Sequence, residues 1–320
     1  MQNIRATVAK EFEAVNQLII EQLHSNVPMV ENIGHYIVDA GGKRLRPLLV
    51  LLSTAAQNHQ GDKAIKFAAV IEFIHTATLL HDDVVDISSL RRGRPTANAE
   101  FGNAPSVLVG DFLYTRAFQL LVQIENMDIL KHMADTTNTI AEGEVLQLTR
   151  AGNAATTEEQ YLDVITRKTA ILFAAACYGA ATLAGASEEV RMQQHNFGLN
   201  LGIAFQMIDD VLDYEGDAQT MGKNVGDDLA EGKSTLPLIY TLEHGTAEEQ
   251  ALVKNAITQK SAEHIDEIVN AVSRCGALEY TRSRAQFHHD CALESLATLS
   301  PSSFRTAMEE VTHLSVDRDN

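Results

Sequence analysis

Between Pro105 and Pro237 the chain contains no proline. No other feature narrows the fold as far, because proline is the residue a helix interior tolerates least. Apolar periodicity agrees. In Ile65–Asp86 the apolar residues Ile65, Phe67, Val70, Ile71, Phe73, Ile74, Leu79, Leu80, Val84 and Val85 surround the helix axis, the mark of a central helix. Helix starts are signalled at Asn103-Ala-Pro-Ser, with proline in the first turn, and at Ser187 before Glu188 and Glu189. Thr156-x-x-Glu159 and Thr246-x-x-Glu249 read as capping boxes. No apolar/polar alternation lasts long enough to build a sheet. The expected fold is all-α: one large helical bundle over residues 1–320, a single domain whose functional residues project into a central cavity.

A net charge of −18 argues against nucleic acid, which requires a basic footprint. Three cysteines, Cys177, Cys275 and Cys291, are an odd number without CxxC spacing, so a cytoplasmic, reducing setting is expected. The first residues carry charges throughout and lack an apolar signal-peptide core. Thr169–Ser187 is uncharged over 19 positions. That is near the ~18 residues a spanning helix needs, yet its alanine, glycine, threonine and serine content suits a tightly packed internal helix. No membrane anchor is expected.

Chemistry concentrates in two aspartate motifs, His81–Asp86 (HDDVVD) and Ile208–Asp213 (IDDVLD). Asp82 and Asp86 lie one helical turn apart and share a face, as do Asp209 and Asp213. Carboxylates at the ends of apolar runs need a neutraliser. A hard divalent cation such as magnesium binds one or two carboxylates and completes its shell with water and phosphate. The motifs therefore point to a metal clamp for a phosphorylated ligand. Arg91 and Arg92 follow the first motif in Leu-Arg-Arg-Gly and fit phosphate oxygens. Upstream, Gly41-Gly42-Lys43-Arg44-Leu45-Arg46-Pro47 joins backbone freedom to charge. His75 lies two turns before Asp82, and Gln206 one turn before Asp209. Lys168-Thr169 interrupts an otherwise apolar helix. Lys223 and Lys233 stand in a glycine- and charge-rich loop suited to closing over an anion. His288-His289-Asp290 reads as structural, because adjacent helical residues point about 100° apart.

Taken together, GGKRLRP, HDDVVDISSLRRG, GDFLYTRAF, GEVLQL, KTA, FQMIDDVLD and GKNVGDDLAEGKSTLPLI resemble, in order from Gly41 to Ile239, the trans-polyprenyl diphosphate synthases. The likeness is strongest to the bacterial octaprenyl-forming branch. It implies an all-α, homodimeric, magnesium-dependent prenyltransferase of the isoprenoid synthase type. Such an enzyme adds isopentenyl diphosphate repeatedly to an allylic diphosphate, here farnesyl diphosphate, giving a C40 product for quinone side chains. By the same resemblance Asp82, Asp86 and Asp209 ligate magnesium, and Asp83, Asp210 and Asp213 support them or substitute for them. Arg91, Lys168, Thr169, Gln206, Lys223 and Lys233 hold the allylic diphosphate. Lys43, Arg46, His75 and Arg92 hold isopentenyl diphosphate.

Product length is expected to depend on the residues below Asp82. Ala77 and Thr78 are small, whereas short-chain relatives carry blocking aromatics near there; Phe118, Leu121 and Met133 are candidates for a deeper floor. The alternatives are a related synthase with a C20 to C50 product and a non-catalytic subunit of a heteromeric synthase. Intact acidic motifs weigh against the latter. A terpene cyclase would not need GGKR and RRG for a second diphosphate. A greasy product makes transient membrane contact at release an expectation.

Overall fold

Every long element among the described residues is a helix, and the longest ones carry the functional motifs. The structure is a computed structural model and describes residues 1–215 and 225–317. The helices are α1 (Gln2–Ala6), α2 (Ala9–Gln22), α3 (Pro28–Asp39), α4 (Leu45–Ala56), α5 (Asp62–Val85), α6 (Ala97–Phe101), α7 (Asn103–Ile124), α8 (Met127–Arg150), α9 (Glu158–Ile165), α10 (Ile171–Leu183) and α11 (Glu188–Glu215). They continue with α12 (Asp227–Ala230), α13 (Leu236–His244), α14 (Ala247–Gln259), α15 (Ile265–Arg274), α16 (Ala277–Leu296) and α17 (Ser303–Val316).

The chain divides into two compact units. Unit 1 comprises Met1–Asp135, Leu172–Gly198 and Ser295–Val311. Its axis is α5, which is apolar on all sides and packs most extensively along α7, with α4 and α2 also against it. Glycine permits the closest approaches: a Cβ at Gly110 would fall 2.3 Å from the His81 ring, and one at Gly179 would fall 2.2 Å from Phe67. Unit 2 comprises Thr136–Ile171, Leu199–Glu294 and Thr312–Asn320. One of its core clusters joins Tyr161, Ile165, Ala170, Met207, Ile208 and Leu236; another joins Val211, Leu229, Leu238, Val253, Ile268 and Val272.

One sequence expectation needs correction. The capping box of α9 is Thr157 with Gln160, one residue after the expected Thr156 and Glu159; Thr156 instead donates to the Asn153 carbonyl. The second box, Thr246 with Glu249, forms as expected. A short β-ribbon also occurs, β1 (Leu90–Arg91) pairing antiparallel with β2 (Arg94–Pro95). Its central residues Arg92 and Gly93 both have positive φ, 54° and 72°, the geometry of a tight two-residue hairpin turn.

By length and composition alone, three helical stretches among the described residues could cross a membrane: Asp62–Val85, Asn103–Ile124 and Glu158–Leu183. The first and third are mostly buried within the fold, including nearly all of α10 in the uncharged stretch. The second is only 39% buried in its most apolar window, so α7 leaves Leu108 and Val122 on the surface.

Candidate active site

In unit 1, α5 carries the first aspartate motif to its C-terminus. Asp86 closes the last turn, its N–H donating to the Asp82 carbonyl at 2.7 Å, so the one-turn spacing of Asp82 and Asp86 is realised. Both are half-buried. Asp83 is fully buried and receives Arg91 in a fork: Nη2 donates to Oδ1 at 2.7 Å, and Nε donates to Oδ1 and Oδ2 at 3.0 and 3.1 Å. The hairpin turn sends the adjacent arginine elsewhere. Arg92 lines a narrow recess with Gly41, Arg44, Glu72, His75, Thr76 and the apolar Ile19, Ile37, Val38 and Leu79. Gly42 makes room for it, since a Cβ there would fall 2.7–2.9 Å from the Arg92 guanidinium.

Arg46 approaches the same histidine. Its Nη1 lies 3.2 Å from His75 Nε2, and its guanidinium rests 4.2 Å from the centroid of the Phe173 ring. A guanidinium only donates, so His75 Nε2 accepts and the ring proton sits on Nδ1. Burial first, then Arg46, Arg92 and Arg91, hold His75 well below the ordinary histidine range, so it is a neutral acceptor at pH 7. Glu72, absent from the sequence reading, lies one turn earlier on α5. Burial raises its carboxyl against the pull of Arg44, Arg46 and Arg92.

In unit 2, α11 carries the second motif. Asp209 is half-buried, whereas Asp210 and Asp213 are buried. Both oxygens of Asp210 are engaged: the Tyr161 phenol donates to Oδ2 at 2.6 Å, and Gln206 Nε2 donates to Oδ1 at 2.8 Å. Gln206 thus serves Asp210, and its own Oε1 accepts from the Thr169 hydroxyl at 3.0 Å. Burial and Asp228 push the Asp210 carboxyl up to about 7, against the two hydrogen bonds that favour its charge.

Lys168 and Thr169 lie in a π-helical turn, Thr166–Ala170, between α9 and α10. Such turns recur at functional sites because they re-aim side chains. Gly143 on α8 lets this turn approach, since a Cβ there would meet Arg167 at 2.8 Å and the Lys168 nitrogen at 3.0 Å. Lys168 bridges Glu144 at 2.7 Å. Lys233 pairs with Glu231 and lies 3.7 Å from Asp228. A cleft of about 110 Å³ gathers Lys168, Thr169, Gln206, Asp210 and Lys233 with Arg150, Tyr161, Asp228 and Ser234. Lys223 lies outside the described residues.

Sorting by burial separates the six aspartates. Asp82, Asp86 and Asp209 are half-buried, while Asp83, Asp210 and Asp213 are interior. Hard carboxylate oxygens on half-buried residues suit a divalent cation that draws the rest of its shell from water and phosphate. Among the described residues no group of three or more His, Cys, Asp or Glu forms a self-contained metal site. Of His288, His289 and Asp290 only the first turns away, facing Asn200 at 2.8 Å; His289 contacts its neighbour Asp290 at 2.8 Å, despite the ~100° between adjacent helical positions, and also faces His313 at 2.9 Å. Of the residues expected to set product length, Ala77, Leu121 and Met133 are fully buried; Thr78 is half-buried, and Phe118 stacks on Tyr114 with centroids 5.4 Å apart.

Residues 27–274 match the family model Polyprenyl synthetase. The chain is 47% identical over 320 residues to octaprenyl diphosphate synthase of Escherichia coli, covering 100% of this chain and 99% of that one. It is 47% identical over 318 residues to the geranyl-diphosphate-specific all-trans-nonaprenyl-diphosphate synthase of Rhodobacter capsulatus, covering 99% and 98%. Its structure matches a polyprenyl synthase from Caulobacter crescentus complexed with calcium and isoprenyl diphosphate, with a TM-score of 0.97, 40% identity and coverage of 100% and 98%.

Proposed function

The chain belongs to the polyprenyl synthetase family, and from that premise we propose that it elongates farnesyl diphosphate with isopentenyl diphosphate to a long all-trans polyprenyl diphosphate, C40 in length, for quinone side chains. The burial sorting of the six aspartates is the observation that carries this reading. It leaves Asp82, Asp86 and Asp209 as the residues that would hold magnesium, with Asp83, Asp210 and Asp213 shaping their surroundings. When bound, the metal supplies positive charge to the diphosphate leaving group.

The chain's own residues do the rest. Arg91, set by Asp83, and Lys168, set by Glu144, offer preorganised cations to the oxygens that gain charge as the allylic C–O bond breaks. Thr169, Gln206, Lys223 and Lys233 complete the grip on that diphosphate. Lys43, Arg46, His75 and Arg92 hold isopentenyl diphosphate so that its double bond attacks the allylic cation, and proximity of two bound reactants supplies much of the acceleration. The departing diphosphate then takes the proton. Apolar helices such as α5 and α10 exclude the water that would capture the cation.

The same proposal includes a cytoplasmic enzyme acting as one catalytic domain and as a homodimer. Exposed apolar residues, Leu108 and Val122 on α7 and Val145 and Leu148 on α8, support the dimer. Incubating the purified protein with farnesyl diphosphate, labelled isopentenyl diphosphate and magnesium tests the reaction and the length together. A C40 product is expected. The C20 to C50 range marks the related-synthase alternative, and an absence of incorporation marks a non-catalytic subunit.

A further inference from the structure

We propose that Arg5 and Asn16, on the first two helices, are positioning residues that hold the loop Gly41–Arg44 in the shape that binds isopentenyl diphosphate. The inference rests on the reading of Lys43 and its neighbours as the isopentenyl diphosphate pocket. Three of the four loop residues have positive φ: Gly41 at 77°, Gly42 at 141° and Arg44 at 42°. Arg44 is not glycine, and a side chain in the left-handed region persists only where its surroundings over-determine it. The start of α4 offers little help, because Arg44 occupies its N-cap without any side-chain cap bond.

The missing constraint comes from the N-terminus. Arg5 Nη2 donates to the Lys43 carbonyl at 2.7 Å. Arg44 Nη1 donates to the Asn16 side-chain oxygen. These bonds reach across 38 and 28 residues of sequence and grip two successive loop residues. Their own anchorage is firm. Ile4, Val8, Val15 and Ile19 fix α1 and α2 in the unit 1 core, and the Arg5 guanidinium lies 5.0 Å from the centroid of the Phe12 ring. The loop also rests on Arg92, which lies against the bare Cα of Gly42. A pocket arginine and the N-terminal helices therefore both hold the loop. Arg5 and Asn16 precede residue 27, where the family match begins.

Because both bonds act on the loop and not on the ligand, their loss should weaken one substrate only. Arg5→Ala combined with Asn16→Ala is expected to raise KM for isopentenyl diphosphate about tenfold, the low end for two solvent-accessible hydrogen bonds. The allylic KM and kcat should stay within about twofold. Arg5→Lys and Asn16→Asp keep a donor and an acceptor and should restore most of the loss. Lys43→Ala serves as the control for the pocket. If it raises the isopentenyl KM and the double variant does not, the proposal is overturned while the pocket stands. If both substrates' KM values rise together with a lower Tm and no conservative rescue, the helices merely stabilise the fold and the proposal also fails. If Lys43→Ala itself has no effect on the isopentenyl KM, the pocket reading falls and the proposal with it.

Discussion

On α5, Asp83 meets a guanidinium; on α11, the equivalent Asp210 meets a phenol and a carboxamide. Both are middle residues of a DDxxD motif, and both are buried. In the first the partner is a full charge, so the carboxylate and Arg91 neutralise one another and Arg91 acquires a fixed direction. In the second the partners are neutral, and the carboxyl is pushed up to about 7 by burial and by Asp228. One motif aims a cation through its middle aspartate; the other closes a hydrogen-bonded wall through it. Cations parked on carboxylates recur, with Lys168 on Glu144 and Lys233 on Glu231. An acidic chain can thus hold its basic side chains in fixed directions.

The comparison breaks first at the accessible aspartates. Asp82→Ala and Asp209→Ala should each cut turnover by at least about 10²–10³-fold, the scale seen when one preorganised electrostatic group is lost, with the circular dichroism spectrum unchanged. Near-normal magnesium-dependent turnover in either variant would remove that residue from the metal role. Next come the middle aspartate and its partner. Asp83→Asn leaves Arg91 without its counter-charge and should cost about 3 kcal/mol in urea unfolding, the low end for a broken buried pair because Arg91 is partly exposed. Tyr161→Phe removes one neutral donor and should cost about 1–2 kcal/mol. Equal costs would erase the distinction between the charged and neutral brackets.

Ala77→Phe fills a fully buried position and should shorten the product, read by chromatography of the chains. An unchanged length distribution rejects Ala77 as a wall residue. The smallest effect belongs to His75. Its folded-state pKa lies below its unfolded value, so the stability it contributes is complete above about pH 6.5 and declines as pH falls towards the folded pKa. Being neutral at pH 7, it should add no titration to KM for isopentenyl diphosphate between about pH 6.5 and 8. His75→Gln preserves an acceptor for Arg46 and should change that KM by less than about threefold.

Helical periodicity and charge spacing made much of this site legible. The i, i+4 aspartates, the place of His75 two turns before Asp82 on α5 and the buried uncharged α10 all follow from patterns within one helix. Long-range partners do not. Tyr161 is 49 residues from Asp210, and Glu144 is 24 from Lys168, so no local spacing announces either. The π-helical turn at Lys168 has a composition that an α-helix would accept equally well. The α9 capping box was misplaced by one residue because Thr156 and Thr157 are adjacent, and each has an acidic or amide residue three positions on. Burial decided which of six similar aspartates remain accessible, and that depends on packing beyond the motif.

The central claim is that binding of the allylic diphosphate depends on a divalent cation and on each of the two aspartate motifs. Calorimetric titration with farnesyl thiodiphosphate, an analogue whose leaving group departs slowly, tests it most directly. The account predicts binding that appears only with added magnesium and is lost in Asp82→Ala and in Asp209→Ala alike. Binding of full strength without the metal, or binding that survives loss of either aspartate, would contradict it.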